Sequence, residues 1–288
     1  MSVEMDTPRI EGLFGVIRAL REWPRDGAPM QLHPGDLGWF GRFGAADTAA
    51  AVRTWSRSGA ILAVGLKDHP GTVRLAIAPD AVRDEELADR LLDDLTRPER
   101  GVVGAGRASV EARTDARIRG RLLEAGWYPA DPWVPLVRDL ARPVEPVGLR
   151  VERVGPSWVD ERVAVQRAAF DGSTFTVARW RAMAAGPAYA DARCLVAFEP
   201  PETAVAAATV WSAGPGRPGL LEPLGVHRDH RGHGYGTAIA RAAAAALREL
   251  GASSAVVGTP ASNTRAVATY RAAGFAPGAS LRDLERPA

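Results

Sequence analysis

The amino-acid sequence predicts an α/β (α+β) protein that contains one domain twice. Three observations carry that prediction: strands and helices alternate in the same order in both halves, a short pattern closes each half, and the spacings agree. Arg138-Asp139-Leu140-Ala141-Arg142-Pro143 recurs as Arg282-Asp283-Leu284-Glu285-Arg286-Pro287, each time after a helix-like stretch, a glycine and an aromatic, Gly126-Trp127 and Gly274-Phe275. The last residue of the preceding apolar strand lies 49 positions before Phe275 in one half (Val226) and 50 before Trp127 in the other (Ile77).

Each element has its own signal. In the first half an apolar run predicts a strand over 73–77, and helical spacing predicts a helix over 85–95. A strand over 108–112 and a helix over 114–125 follow. The second half opens with strand-like alternation over 149–154. A helix is expected over 157–170, with Val159, Val163 and Phe170 inward and Ser157 as its N-cap. A short helix over 175–185 carries Trp180 and Met183. Apolar runs over 194–198 and 204–211, joined by Glu199-Pro200-Pro201-Glu202, form a hairpin. A strand over 220–226, a Gly-rich loop, an Ala-rich helix over 237–250, a strand over 253–259 and a helix over 263–273 complete the half. Pro143 and Pro146 make a stiff connector over 141–148, which sets the expected domains at 1–142 and 148–288.

Composition narrows the function classes. The 288 residues are 46% hydrophobic and 24% charged, with a formal net charge of +2, as in an ordinary soluble protein; no nucleic-acid or membrane partner is expected. Cys194 is the single cysteine, which excludes an intramolecular disulfide and a Cys-based zinc site. Glu4 and Asp6 stand where a signal peptide carries positive charge, and no apolar run is long enough to span a bilayer. A cytoplasmic location follows as the expectation. Heavy Ala, Arg and Gly usage points to a GC-rich, bacterial source. Residues 1–147 carry net −2 and residues 148–288 net +4, so an anion site belongs in the second half.

The loop after Val226 carries the chemistry. His227-Arg228-Asp229-His230-Arg231-Gly232-His233-Gly234-Tyr235-Gly236-Thr237 leads into the long helix. Alternating glycines let successive N–H groups point inward, and the helix N-terminus adds partial positive charge: a pyrophosphate cradle. Arg228, Arg231 and Arg241 add charge at the same end. A Walker loop is excluded because Lys67 is the only lysine. The dinucleotide fingerprint fails on glycine spacing and on the absence of a ribose-binding acid after the next strand. His227, His230 and His233 share no helical face and have no carboxylate among them, so no metal site is expected.

What remains is Arg-x-x-Gly-x-Gly at Arg231, Gly234 and Gly236, followed by Asn263-x-x-Ala266-x-x-x-Tyr270-x-x-x-Gly274-Phe275. The two motifs on these elements resemble the GNAT superfamily of acyl-CoA N-acyltransferases. The tandem order resembles the architecture of mycothiol synthases, without a reason to carry over their substrate. The resemblance implies two tandem GNAT-like domains, each a mixed, mostly antiparallel splayed sheet flanked by helices. It implies acetyl-CoA as cosubstrate, held by Leu224, Gly225, Val226, Arg231, Gly232, His233, Gly234, Tyr235, Gly236, Thr237 and Asn263, and acetyl transfer to a primary amine of a small molecule. Asn263 serves as a cofactor contact, a helix N-cap or both.

Amine attack on a thioester needs a base, a polarised carbonyl and an acid for the leaving thiolate. Glu222, four residues before Val226 and so on the same strand face, is the candidate general base. Its alternative is a strand-end carboxylate bonded to backbone. In the family's pattern Tyr270 is the general acid; its alternative is a core aromatic. The acceptor pocket is expected along 170–189. In the first half, Arg83-Asp84-Glu85-Glu86 aligns with Gly232-His233-Gly234-Tyr235, and Leu122 with Tyr270. Carboxylates there repel a pyrophosphate, so that half is expected to keep the fold without binding acetyl-CoA. The chain is expected as a monomer or homodimer. The alternative to the enzyme is a non-catalytic acyl-CoA sensor or scaffold.

Overall fold

A computed structural model describes residues 2–69 and 71–288. From the N-terminus, β1 (Glu4–Asp6) and α1 (Leu13–Glu22) precede α2 (Pro34–Phe40) and α3 (Ala45–Ala51). Strands β2 (Val52–Arg57), β3 (Ala60–His69) and β4 (Thr72–Ile77) lead to α4 (Glu85–Thr96), β5 (Ala108–Glu111), α5 (Arg117–Glu124) and the long β6 (Tyr128–Asp139). The second half adds β7 (Arg150–Arg153), α6 (Val159–Ala169), α7 (Val177–Ala184), β8 (Ala192–Glu199) and β9 (Thr203–Trp211). Next come β10 (Gly219–Val226), α8 (Tyr235–Glu249), β11 (Ser254–Pro260), α9 (Thr264–Ala272), β12 (Ala276–Pro277) and β13 (Leu281–Arg286).

The expected elements are present, with ends set by capping. Ser157 does not cap α6: Trp158 holds the N-cap position and makes no side-chain cap bond. Thr176 does cap α7, its hydroxyl accepting from the Arg179 N–H at 3.2 Å. α8 starts two residues before the expected Thr237 because Gly234 takes the cap.

Two units form, and their membership cuts across the sequence halves. The first comprises the chain up to His33, Ala45–Trp133 and Ser280–Ala288; the second comprises Pro34–Gly44 and Val134–Ala279. The expected boundary at 142–148 lies inside the second of these units. β13 joins the first unit by pairing with β5 (Leu284↔Val110), while Val137 of β6 pairs with Ala276 of β12 in the second.

In the first unit the strand order is β1-β2-β3-β4-β5-β13 and then the first part of β6. Leu87, Leu91 and Leu95 of α4 and Ile118 and Leu122 of α5 pack on Trp55, Leu75 and Ile77. Trp55 donates its indole N–H to the fully buried Asp94 at 2.9 Å, and Arg90 and Arg100 neutralise that carboxylate.

In the second unit the latter part of β6 is followed by β11-β10-β9-β8-β7. Alanine lets the layers approach closely: Ala240, Ala243 and Ala244 of α8 lie in one core with Ala206 and Ala208 of β9. α2 belongs here although it comes early in the chain. A Cβ at Gly35 or Gly38 would overlap the Trp211 indole, so these two glycines admit the helix against β9.

Candidate active site

The site begins where two parallel strands part. β10 pairs with β11 only at Gly219↔Ala255 and Leu220↔Val256, although β10 runs on to Val226 beside β9. Beyond Leu220 its other edge is released from β11, and backbone polar groups that lose a ladder partner seek another. Leu224, Gly225 and Val226 lie on this freed stretch, in register with Ala208, Ala207 and Ala206.

The loop then delivers the chain into α8. Gly232 and Gly234 adopt left-handed φ values of +87° and +81°, which disfavour any side chain, and the space where a Cβ would stand is open at both. No side chain caps α8, so its first N–H groups face that opening, with Tyr235, Gly236 and Thr237 in the first turn. Bare amides, a helix N-terminus and a freed strand edge fit a ligand that ends in a pyrophosphate and carries an amide-bearing arm. Asn263 caps α9, its side-chain oxygen accepting from the Ala266 N–H at 3.1 Å.

The guanidinium groups of Arg228, Arg231 and Arg241 bond carbonyls at helix ends. Arg228 donates from Nε to the Ala168 carbonyl at 2.8 Å and Arg231 from Nη2 to the Ala169 carbonyl at 2.8 Å, which caps the C-terminus of α6. Arg241 donates to the Ala272 carbonyl at the end of α9 at 3.0 Å. They brace the loop from behind. The loop histidines are engaged as well. His230 pairs with Glu199 at 3.0 Å, Tyr235 donates its hydroxyl to the same carboxylate, and the His233 ring stacks on Tyr235. Among the described residues no group of three or more His, Cys, Asp or Glu is placed to hold a metal.

Glu222 is half-buried on β10, and its carbonyl accepts the Trp211 indole N–H at 2.7 Å. The ladder slips by one residue between Leu221 and Leu224, a bulge that cancels the counting argument placing Glu222 on the Val226 face. Its charge is felt at Tyr270. Tyr270 is 7% exposed, and its phenol is pushed well above the ordinary tyrosine value, first by burial and then by the negative charge of Glu222.

The corresponding place in the first unit is filled by its own side chains. β4 pairs with β5 only through Thr72, Val73 and Arg74. Past that point Gln31 bonds both polar groups of Ile77, accepting its N–H at 3.0 Å and donating to its carbonyl at 3.3 Å. Leu32 donates to the Leu75 carbonyl at 3.2 Å. Asp84 caps α4, accepting from the Leu87 N–H at 2.9 Å. Arg57, in a two-bond fork, holds its carboxyl below the usual carboxylate range. The expected alignment shifts by one here: Asp84, not Glu85, stands at the cap position that Gly234 takes. Leu122 is fully buried.

Comparison with known proteins matches residues 159–275 to the acetyltransferase (GNAT) family. The match lies wholly within the second half of the chain and covers less than half of its length. This likeness supports an acyl-CoA-dependent N-acetyltransferase with acetyl- or acyl-CoA as cosubstrate. Solved structures extend the likeness over the whole chain at the level of fold. A GCN5-related N-acetyltransferase from Sphaerobacter thermophilus is 18% identical with a TM-score of 0.59, covering 99% of this chain and 95% of that one. A tandem GNAT protein from the clavulanic acid biosynthesis pathway is 16% identical with a TM-score of 0.58, covering 99% and 98%. Saccharomyces cerevisiae N-myristoyltransferase with bound myristoyl-CoA is 12% identical with a TM-score of 0.59, covering 99% and 78%. No curated protein matches the sequence. Sequence reasoning missed α2, Arg162 and Gln31; the Gly35-x-x-Gly38 spacing was the one available signal, since two small residues on one helical face mark a close contact.

Proposed function

We propose that the GNAT domain transfers an acetyl group from acetyl-CoA directly to the primary amine of a small molecule, with Glu222 as general base and Tyr270 as general acid. The observation that carries this reading is the freed edge of β10 leading to the bare amides at the start of α8, with the buried Tyr270 phenol under the negative charge of Glu222. Glu222 takes a proton from the amine, directly or through water. The nitrogen attacks the thioester carbonyl, the carbon–sulfur bond breaks, and Tyr270 gives its proton to the departing thiolate. A phenol with a raised pKa stays protonated at neutral pH and is ready to donate.

In this reading Leu224, Gly225 and Val226 bond the pantetheine arm through backbone. The amides of Gly232–Thr237 hold the pyrophosphate, Arg231 and His233 fix the loop, and Asn263 orients the neighbouring helix. The acceptor pocket takes its walls from α6, α7 and the chain to Tyr189. The first unit binds no acetyl-CoA, because Gln31 and Asp84 occupy the strand edge and the helix N-terminus that the cosubstrate would need. Calorimetric titration tests both halves of the reading. One acetyl-CoA per chain is expected, and Gly234→Asp should abolish binding. Gly234→Asn, equal in shape and backbone strain but uncharged, should weaken it less. Two sites per chain, or full affinity in Gly234→Asp, would sink this assignment.

A further inference from the structure

Arg162 is fully buried on α6. It forms no ion pair among the described residues, and its side chain has no solvent exposure. Gln166, one helical turn on, accepts from Nη1 at 2.8 Å. Nε and Nη2 have no hydrogen-bond partner. These two nitrogens form one edge of the guanidinium fork, the edge that receives both oxygens of a carboxylate side-on. Gln166 thus fixes the ring of donors and leaves the bidentate edge vacant. A buried charge with unmade hydrogen bonds is among the costlier arrangements a core can keep, and a ligand that completes it removes the cost.

The surroundings place Arg162 beside the acceptor rather than the cosubstrate. It lies seven residues before Ala169, roughly 10 Å along the helix from the end that Arg231 ties to the loop. Its guanidinium lies 5.2 Å from the centre of the Phe175 ring, and its charge acts on the Tyr189 phenol. The Tyr189 ring lies 6.1 Å from both Trp180 and Trp211, and Trp211 bonds the Glu222 carbonyl. A run of contacts therefore joins Trp180, Tyr189 and Trp211 to the Glu222 carbonyl within the unit that also holds Arg162.

We propose that Arg162 determines acceptor specificity: the acceptor is an amine that also carries a carboxylate, whose two oxygens take the Nε and Nη2 protons. One unpaired guanidinium balances a monoanion, whereas a phosphoryl dianion would leave a charge uncompensated. Because the guanidinium has no solvent contact, the carboxylate enters by displacing the Phe175 ring, on the loop between α6 and α7. This inference rests on the transferase reading above.

The test measures thiol release from acetyl-CoA with paired amines that differ only in the carboxylate: phenylalanine and 2-phenylethylamine, tryptophan and tryptamine, 4-aminobutyrate and propylamine. For at least one pair the carboxylated member should be favoured in kcat/KM by about 10²-fold or more. In Arg162→Met that ratio should collapse toward one with acetyl-CoA affinity unchanged. Arg162→Lys, which keeps the charge without the fork, should lose most of the preference. Transfer to the plain amines at equal or higher kcat/KM overturns the inference and leaves the transferase reading standing. Absence of transfer to every member, by protein that binds acetyl-CoA, overturns both. Stability gives a second readout: Arg162→Met should melt at or above the temperature of the parent, because it loses an uncompensated charge. A fall of about 10 °C would show a structural strut and end the proposal.

Discussion

Tyr270 joins a packing role to the proposed chemistry. Its ring packs against Phe275 at 5.7 Å between centroids and belongs to the core of the second unit, so a phenylalanine would serve the packing equally well. The hydroxyl is the part that packing does not explain. Tyr270→Phe is expected to lower kcat by about 10²-fold or more while acetyl-CoA affinity stays within a small factor. A fully active variant would remove Tyr270 from the reaction. Because burial and Glu222 raise its pKa, the alkaline loss of activity assigned to this phenol belongs above the ordinary tyrosine range, and Glu222→Gln should move it downward. Glu222 shows the limit of counting along a strand, for one bulged residue separates it from the parity that the ideal strand implies.

At the scale of elements, the same supersecondary unit is used twice with opposite outcomes at the helix N-terminus. α8 begins with bare amides, whereas α4 begins with a carboxylate that bonds its own amide and an arginine. The C-terminal strand carries a different liability. Asp283 on β13 is partly buried near Glu111, and burial followed by that charge raises its carboxyl to about 6. The folded state therefore holds the Asp283 proton more tightly than the unfolded chain does. The stability tied to that proton is fully present below the unfolded value near 4 and is lost as pH rises through about 6. Asp283→Asn should raise stability at pH 7.5 by about 1–2 kcal/mol, after allowance for the partial solvation of the site. The gain should vanish at pH 4. Thermal unfolding of both proteins at the two pH values measures it, and an equal gain at both would refute the titration argument.

At the scale of the whole molecule, the units exchange pieces of chain. α2 comes from the N-terminal sequence but packs on Trp211 in the second unit, and β13 comes from the C-terminal end but pairs with β5 in the first. Neither sequence half is therefore a complete structural unit. A fragment of residues 148–288 would lack α2 and β6, leaving Trp211 and one flank of the sheet uncovered. It should express poorly or melt well below the full chain, although it contains every residue assigned to the reaction. A fragment that bound acetyl-CoA and melted like the parent would show that these exchanged pieces contribute little.

The sequence by itself determined the duplicated α/β order, the glycine loop and its helix, and the Asn263–Tyr270–Gly274 pattern, because strand and helix periodicity and glycine spacing are local properties of the chain. It also marked the first half as altered at the anion position, since a carboxylate in place of a glycine is visible without coordinates. Residues 1–72 gave no reading of elements, although β2 and β3 pair as sequence neighbours (Arg57↔Ala60) and β3 runs on to pair with β4. Only the tertiary structure decided the unit boundaries, the release of β10 from β11 and the insertion of Gln31 beside Ile77, since each depends on which backbone groups meet across long separations. It alone revealed Arg162 as a buried charge with two unsatisfied donor nitrogens, because an arginine on a helix looks the same in sequence whether it faces water or is sealed in a core.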